Sequence, residues 1–272
     1  MKVSIIIPAY NCEKHIAKCI DSVLCQKGAE LQIIVVNDGS TDGTEKVLEG
    51  YKDDILLINT ANQGSSAARS RGIEAITGEY TMFLDSDDYL AEDAISILTE
   101  QIEKTNADIV KFRYRLVFPD GTEKLENNQL SEYELIEKKD FKNKIYPQFI
   151  NGIRLNSVCV GIYKSSIIKG RAFRSDMRVA EDAVFSLETY TLAKRVLIIP
   201  DILYNYLQTG TGLTGNAISV WEKYKCNNIL ATAIIGFLPE WGIDTLKVRI
   251  RTRLRLVFLT FDKIRRIINS KF

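Results

Sequence analysis

Hydrophobic positions along the first hundred residues follow two alternating rhythms. Continuous apolar runs at 3–7, 33–36, 55–58 and 80–84 have the length and uniformity of strands. Between them apolar residues return at helical spacing, as Ile16, Ile20, Val23 and Leu24 do, and the Ala-rich stretch 65–76 and residues 91–104 read as further helices. Asp42 followed by Glu45 predicts a capping box opening a short helix that ends near Gly50. Strands apolar throughout, in strict alternation with helices, predict an α/β fold whose mostly parallel sheet is covered on both faces.

The rhythm changes after Asp108. Residues 109–118 and 122–125 flank Pro119-Asp120-Gly121 and predict a hairpin, 132–144 reads as a charged helix, 158–163 as a strand, and 181–193 as a helix with an acidic first turn. Residues 196–199 and 202–207 are predicted as two strands parted by Pro200-Asp201. The stretch 208–215, with three glycines and three threonines, is predicted to be a flexible loop.

Ligands of parallel sheets bind at the carboxyl ends of the strands, and four polar segments fall there: Pro8-Ala9-Tyr10-Asn11, Asn37-Asp38-Gly39-Ser40, Asn62-Gln63-Gly64 and Asp85-Ser86-Asp87-Asp88. The fourth ends an apolar run in three carboxylates within four residues. Like charges so close disfavour one another's ionisation, so the cluster predicts a hard divalent cation, Mg²⁺ or Mn²⁺. Asp88 alone could instead cap the next helix. Asp38 could accept a hydrogen bond from a nucleobase and Tyr10 could stack on that base, though a turn role and a packing role are the plainer alternatives. Arg69, near the start of its helix, could reach a nucleotide or form a surface salt bridge. A Gly-x-Gly-x-x-Gly turn and a P-loop lysine are both missing, which argues against a dinucleotide oxidoreductase or a P-loop ATPase.

Charge adds an asymmetry. The chain has 36 basic and 35 acidic residues, a balance that gives no indication of nucleic-acid binding, yet from Asp244 onward nine basic residues face two acidic ones. There Lys247, Arg249, Arg251, Arg253 and Arg255 alternate with apolar residues, ambiguous between strand and helix, before Val257, Phe261, Ile264 and Ile268 settle into helical spacing. The segment is expected either to attach to an anionic membrane surface or to pack as a helix with a solvated basic face. Five cysteines without a Cys-x-x-Cys pair read as reduced thiols rather than a zinc site, and the only histidine, His15, reads as a surface residue. The apolar run after Met1-Lys2 meets Pro8 too soon for a signal peptide, and no stretch approaches the roughly 18 apolar residues of a membrane span. A cytoplasmic protein, with or without peripheral attachment to the inner face of the cell membrane, is expected.

The segments Val3-Ser4-Ile5-Ile6-Ile7-Pro8-Ala9-Tyr10-Asn11, Ile34-Val35-Val36-Asn37-Asp38-Gly39-Ser40-Thr41-Asp42, Asn62-Gln63-Gly64 leading to Ala68-Arg69, and Phe83-Leu84-Asp85-Ser86-Asp87-Asp88 together resemble glycosyltransferase family 2 in order and spacing. The resemblance implies a GT-A (Rossmann-like) fold and an inverting, metal-dependent transferase that takes a nucleotide sugar, most often UDP-linked, to a hydroxyl of a glycan or lipid-linked acceptor. It implies that Pro8, Ala9, Tyr10, Asp38, Gly64 and Arg69 hold the nucleotide, that Asp85 and Ser86 contact ribose or sugar, and that Asp87 binds Mn²⁺ or Mg²⁺. Glu181-Asp182 resembles the family's Glu-Asp motif, which makes Asp182 the expected base and Glu181 its orienting partner or the second choice. Threonines stand in 208–215 where relatives often have a basic residue, which leaves phosphate contact by Thr211 or Thr214 open.

On this reading residues 1–215 are the transferase domain, 1–104 its nucleotide-sugar half and 105–215 its acceptor half, and 216–272 form a helical, basic extension. Two other functions use parts of the pattern. A non-catalytic nucleotide-sugar-binding subunit would be free to lose either acidic motif, and an Asp-x-Asp phosphotransferase would want its motif on the first strand. A homodimer is left open.

Overall fold

The sheet is built outward from its most apolar strand. In the computed structural model, which describes residues 1–125, 132–151, 155–177, 179–208 and 219–269, the first half runs β1 (Lys2–Ala9), α1 (Ile16–Leu24), β2 (Glu30–Asp38), α2 (Thr44–Glu49), β3 (Leu56–Thr60), α3 (Ser65–Glu74), β4 (Tyr80–Phe83), β5 (Tyr89–Leu90) and α4 (Ala94–Thr105). The second half runs β6 (Ile109–Val117), β7 (Glu123–Leu125), β8 (Glu134–Glu137), α5 (Phe141–Lys144), α6 (Tyr146–Asn151), β9 (Gly161–Lys164), α7 (Ser165–Ile168), α8 (Glu181–Leu192), β10 (Arg195–Leu207), α9 (Val220–Phe237) and α10 (Leu246–Asn269).

The strands order as β3-β2-β1-β4-β9-β6-β10-β5, with β7 added to β6 and β8 to β10. β3, β2, β1 and β4 are parallel, which fits their unbroken apolar runs, and Val3, Ile5, Ile6 and Ile7 of β1 are fully buried. β9 then enters antiparallel between β4 and β6, so the sheet is mixed where its two halves meet. α1 turns Ile16, Cys19, Ile20 and Val23 inward at helical spacing. α3 lies so close to β1 that a Cβ on Gly72 would collide with the Ile6 side chain.

Several predicted elements are corrected. The helix expected over 132–144 begins instead as β8, which pairs antiparallel with β10, and only its end is helical. The two strands expected around Pro200 are one strand. β10 runs through it because the pairing with β6 skips between Ile198 and Ile202, and a proline without an N–H fits that irregularity. β9 starts at Gly161, later than expected, and the two-residue β5, unexpected from sequence, interrupts the path from β4 to α4. The capping box does not form, since Asp42 accepts from the backbone and hydroxyl of Thr44 and α2 has no side-chain cap. The hairpin β6–β7 is present as expected.

The basic C-terminal segment is helical, which resolves the strand ambiguity. α9 and α10 form a hairpin fixed to the rest by Trp241 Nε1, which donates to Thr191 Oγ1 of α8 at 2.9 Å, and by the 2.9 Å bond between Tyr146 and Thr252 hydroxyls. No helix among the described residues is long and apolar enough to cross a membrane. The expected division at 215/216 and Thr211 and Thr214 lie outside the described residues.

Candidate active site

The parallel half places its polar strand ends on one edge, and hydrogen bonds stitch neighbouring ends together. After β1, Asn11 adopts a left-handed backbone (φ 48°), donates its N–H to Ser40 Oγ and accepts from Thr41 N with its side-chain oxygen. Ala9 is buried, Pro8 half-buried, and the Tyr10 ring is 48 % exposed, open to stack on a flat ligand. After β2, the buried Asp38 carboxylate accepts from Gln63 N, Gly64 N (2.7 Å) and Thr60 Oγ1. Those bonds fill most of its acceptor capacity, so in this structure Asp38 shapes the 62–64 turn, and a base N–H would have to compete for it. Gly64 has φ 90°, a conformation that explains glycine at the start of α3.

After β4, each carboxylate of the acidic cluster has its own environment. Asp85 pairs with Arg69 Nη2 at 2.7 Å. Asp88 is buried and accepts from the Tyr204 hydroxyl (2.5 Å) and Leu207 N (2.8 Å) of β10, while burial and the charges of Asp85 and Asp87 push its pKa upward. It therefore ties the cluster to β10 and does not cap α4, whose N-cap is Asp93. Asp87 is half-buried and has no lysine or arginine partner among the described residues. Burial and then the Asp85 charge raise its pKa. Ser86, half-buried, lies beside the Cys12 thiol.

The second acidic motif meets the first through one side chain. The buried Arg69 guanidinium, besides holding Asp85, places Nη1 3.4 Å from Asp182 Oδ1. Burial opposes that cation, but Asp85 and Asp182 outweigh it and hold its pKa well above the ordinary value. Arg69 Nε is buried without a hydrogen-bond partner among the described residues. Burial raises the Asp182 pKa against the Arg69 charge, and burial followed by the charge of Asp182 raises Glu181 to about 7. Both open α8, where the helix dipole favours anions, and the preceding Ala180 has φ 64°, a strained backbone in a non-glycine residue.

Packing fixes the distance between the two motifs. Phe173 stacks on Phe185 of α8 (centroids 4.0 Å, interplanar 6°), and Phe83 of β4 meets both edge-on at 5.4 and 5.7 Å. Such pairs are worth about 0.5–1.5 kcal/mol each beyond burial, so the aromatic trio is a firm spacer beneath the carboxylates. Behind Asp182, Val158 N–H faces Oδ2 at 3.5 Å, and the segment carrying it is held by buried Lys111, whose Nζ donates to Ser157 O at 2.5 Å. Burial lowers the Lys111 pKa to about 7. Sequence reasoning missed Tyr204, Val158, Lys111 and Phe173, each embedded in an apolar stretch or loop where no local pattern distinguishes it.

A hard divalent cation fits at Asp87, which has no lysine or arginine partner among the described residues and only the more distant charge of His15 and its own backbone N–H against burial and Asp85. No group of three His, Cys, Asp or Glu among the described residues forms a closed metal site. A cation at Asp87 would thus be shared with ligand oxygens, the habit of Mg²⁺ with phosphates.

The model of glycosyl transferase family 2 matches residues 4–173, and the chain belongs to that family. It is 35 % identical over 224 residues to the uncharacterized glycosyltransferase EpsJ of Bacillus subtilis (strain 168), covering 78 % of this chain and 62 % of that protein. It is 24 % identical over 247 residues to the poly(ribitol-phosphate) beta-N-acetylglucosaminyltransferase TarS of Staphylococcus aureus (strain Mu50), covering 87 % and 41 %. The crystal structure of S. aureus TarS 1–349 in complex with UDP-GlcNAc superposes with a TM-score of 0.77 at 22 % identity over 96 % of this chain and 73 % of that one. The fold is thus GT-A, as expected. The chain spans less than two thirds of the length of either relative.

Proposed function

We propose that the protein is an inverting, metal-dependent glycosyltransferase that moves a sugar from a UDP-sugar to a hydroxyl of a glycan or lipid-linked acceptor. The observation that carries this reading is the bridge through Arg69, which sets Asp182 of the second acidic motif against Asp85 of the first. A TarS structure of the same fold holds UDP-GlcNAc, which supports a UDP-linked donor. In this reading residues 1–104 hold the donor, 105–215 the acceptor, and 216–272 form the extension.

Tyr10 stacks on the base, Pro8 and Ala9 line its edge, and Asp38 with Gly64 shapes the turn beside it. Asp85 and Ser86 contact ribose or sugar. Arg69 keeps Asp85 in place beside the donor. Mn²⁺ or Mg²⁺ at Asp87 would supply positive charge to the departing diphosphate. The acceptor oxygen forms a bond to the anomeric carbon as the bond from that carbon to the diphosphate breaks, and Asp182 takes the hydroxyl proton. The long contacts from Arg69 and Val158 leave Asp182 with free lone pairs, and a pKa raised toward the working pH strengthens it as a base. Glu181 orients Asp182 and is the second choice for the base.

Asp182→Asn tests this directly. Nucleotide-sugar affinity is expected to persist while transfer falls on the order of a hundredfold or more. Near-normal turnover, or a product that retains the donor's anomeric configuration by NMR, would refute the assignment.

A further inference from the structure

α10 carries two apolar faces, and only one of them is covered. Thr252 and Leu256 are buried and Val248 half-buried, on the side turned to the protein. On the opposite side Leu246 (75 % exposed), Ile250 (51 %), Leu254 (54 %) and Phe258 (66 %) recur every fourth residue. They make an apolar stripe about 18 Å long in water. An α-helix places residues four apart on one face, so this is a continuous surface, not scattered exposure.

Cations edge the stripe on both sides. At 100° per residue, Lys247, Arg251 and Arg255 fall along one border and Arg249 and Arg253 along the other, and all five are exposed. Asp244 occupies Arg249, whereas Lys247, Arg251, Arg253 and Arg255 have no carboxylate partner among the described residues. A helix with an apolar strip between two rows of arginines suits one environment above others: the boundary of an anionic bilayer, with the strip among the acyl chains and the guanidinium groups at the phosphates. Self-pairing of this face about a two-fold axis would press like charges together. Nucleic acid would satisfy the cations and leave the strip in water.

We propose that the outward face of α10, Leu246, Ile250, Leu254 and Phe258 with Arg251, Arg253 and Arg255, seats the protein in the plane of an anionic lipid surface. The surface is independent of the acidic site, so the inference stands or falls apart from the reaction assigned above. It gives the basic C-terminus a specific orientation: α9 and α6 lie on the protein side of α10, and Trp241 and Thr252 tie the hairpin to the body.

The test is flotation of the full chain with phosphatidylglycerol–phosphatidylcholine vesicles and with phosphatidylcholine vesicles alone. Two variants, Ile250→Asn/Leu254→Asn and Arg251→Gln/Arg253→Gln/Arg255→Gln, change only exposed side chains, and circular dichroism checks their folding. The full chain should float with the anionic vesicles only. Each cation removed should weaken binding about fivefold, so the arginine variant should lose on the order of a hundredfold. The apolar variant should lose binding that survives raised salt. A chain that stays in solution with both vesicles overturns the proposal, as does an apolar variant that binds like the parent. A concentration-dependent dimer that the apolar variant dissolves, without vesicle binding, would assign the face to a second copy and overturn it equally.

Discussion

Arg69 Nη1 stands 3.4 Å from Asp182 Oδ1, a contact between residues 113 positions apart. The same guanidinium holds Asp85, so one buried cation offsets carboxylates from both acidic motifs. Removing one member of a buried ionic group is costly because the others stay behind uncompensated. Arg69→Met is therefore expected to lose about 3 kcal/mol of stability, the low end for such sites because both carboxylates keep some contact with water. Without the cation the Asp182 pKa rises further, so the loss should grow as pH climbs past about 4. Urea unfolding at pH 5 and pH 8 measures this, and an equal loss at both would argue against the bridge.

Glu181 gives stability a pH dependence of predictable sign. Its folded pKa is raised from 4.5 to about 7 by burial and the Asp182 charge, so the folded state holds this proton more tightly than the unfolded chain does. The resulting stability is complete below about pH 4.5 and is lost as pH rises through about 7. Glu181→Gln should match the parent at low pH and exceed it at pH 8 in denaturant midpoint. A parent that is more stable than the variant at pH 8 would contradict this environment.

Gly72 sets the approach of α3 to β1. Gly72→Ala would drive a methyl group into Ile6, and such overpacking costs about 1–3 kcal/mol. Because Arg69 lies one turn earlier on the same helix, nucleotide-sugar turnover should fall along with Tm. A variant with unchanged Tm would show that the helix shifts freely.

The parallel half of the fold was legible because each strand is apolar on both faces and each ends in a turn of polar residues. Asp38, Arg69 and the 85–88 cluster could be placed at one edge from that pattern alone. What stayed hidden depends on contacts distant in sequence. Asp88 looks like a helix cap until Tyr204 and Leu207 are seen to claim it from β10, 116 and 119 residues away. Arg69 looks like a nucleotide contact, and only the folded chain gives it two carboxylates to hold. Pro200 parts two apolar runs on paper, yet an irregular register lets one strand pass through it. In α10 the alternation of arginine with apolar residues mimics a strand, and only the helix shows which apolar residues are covered.

The most direct measurement is nucleotide release by the full chain from a panel of UDP- and GDP-sugars, with Mn²⁺ and with the metal chelated. Release from a UDP-sugar is expected with Mn²⁺ and should stop on chelation. Asp87→Asn should depress it on the order of a hundredfold, about 2.7 kcal/mol of lost charge stabilisation. Release that proceeds equally without metal, or a preference for GDP-sugars, would contradict the proposed chemistry.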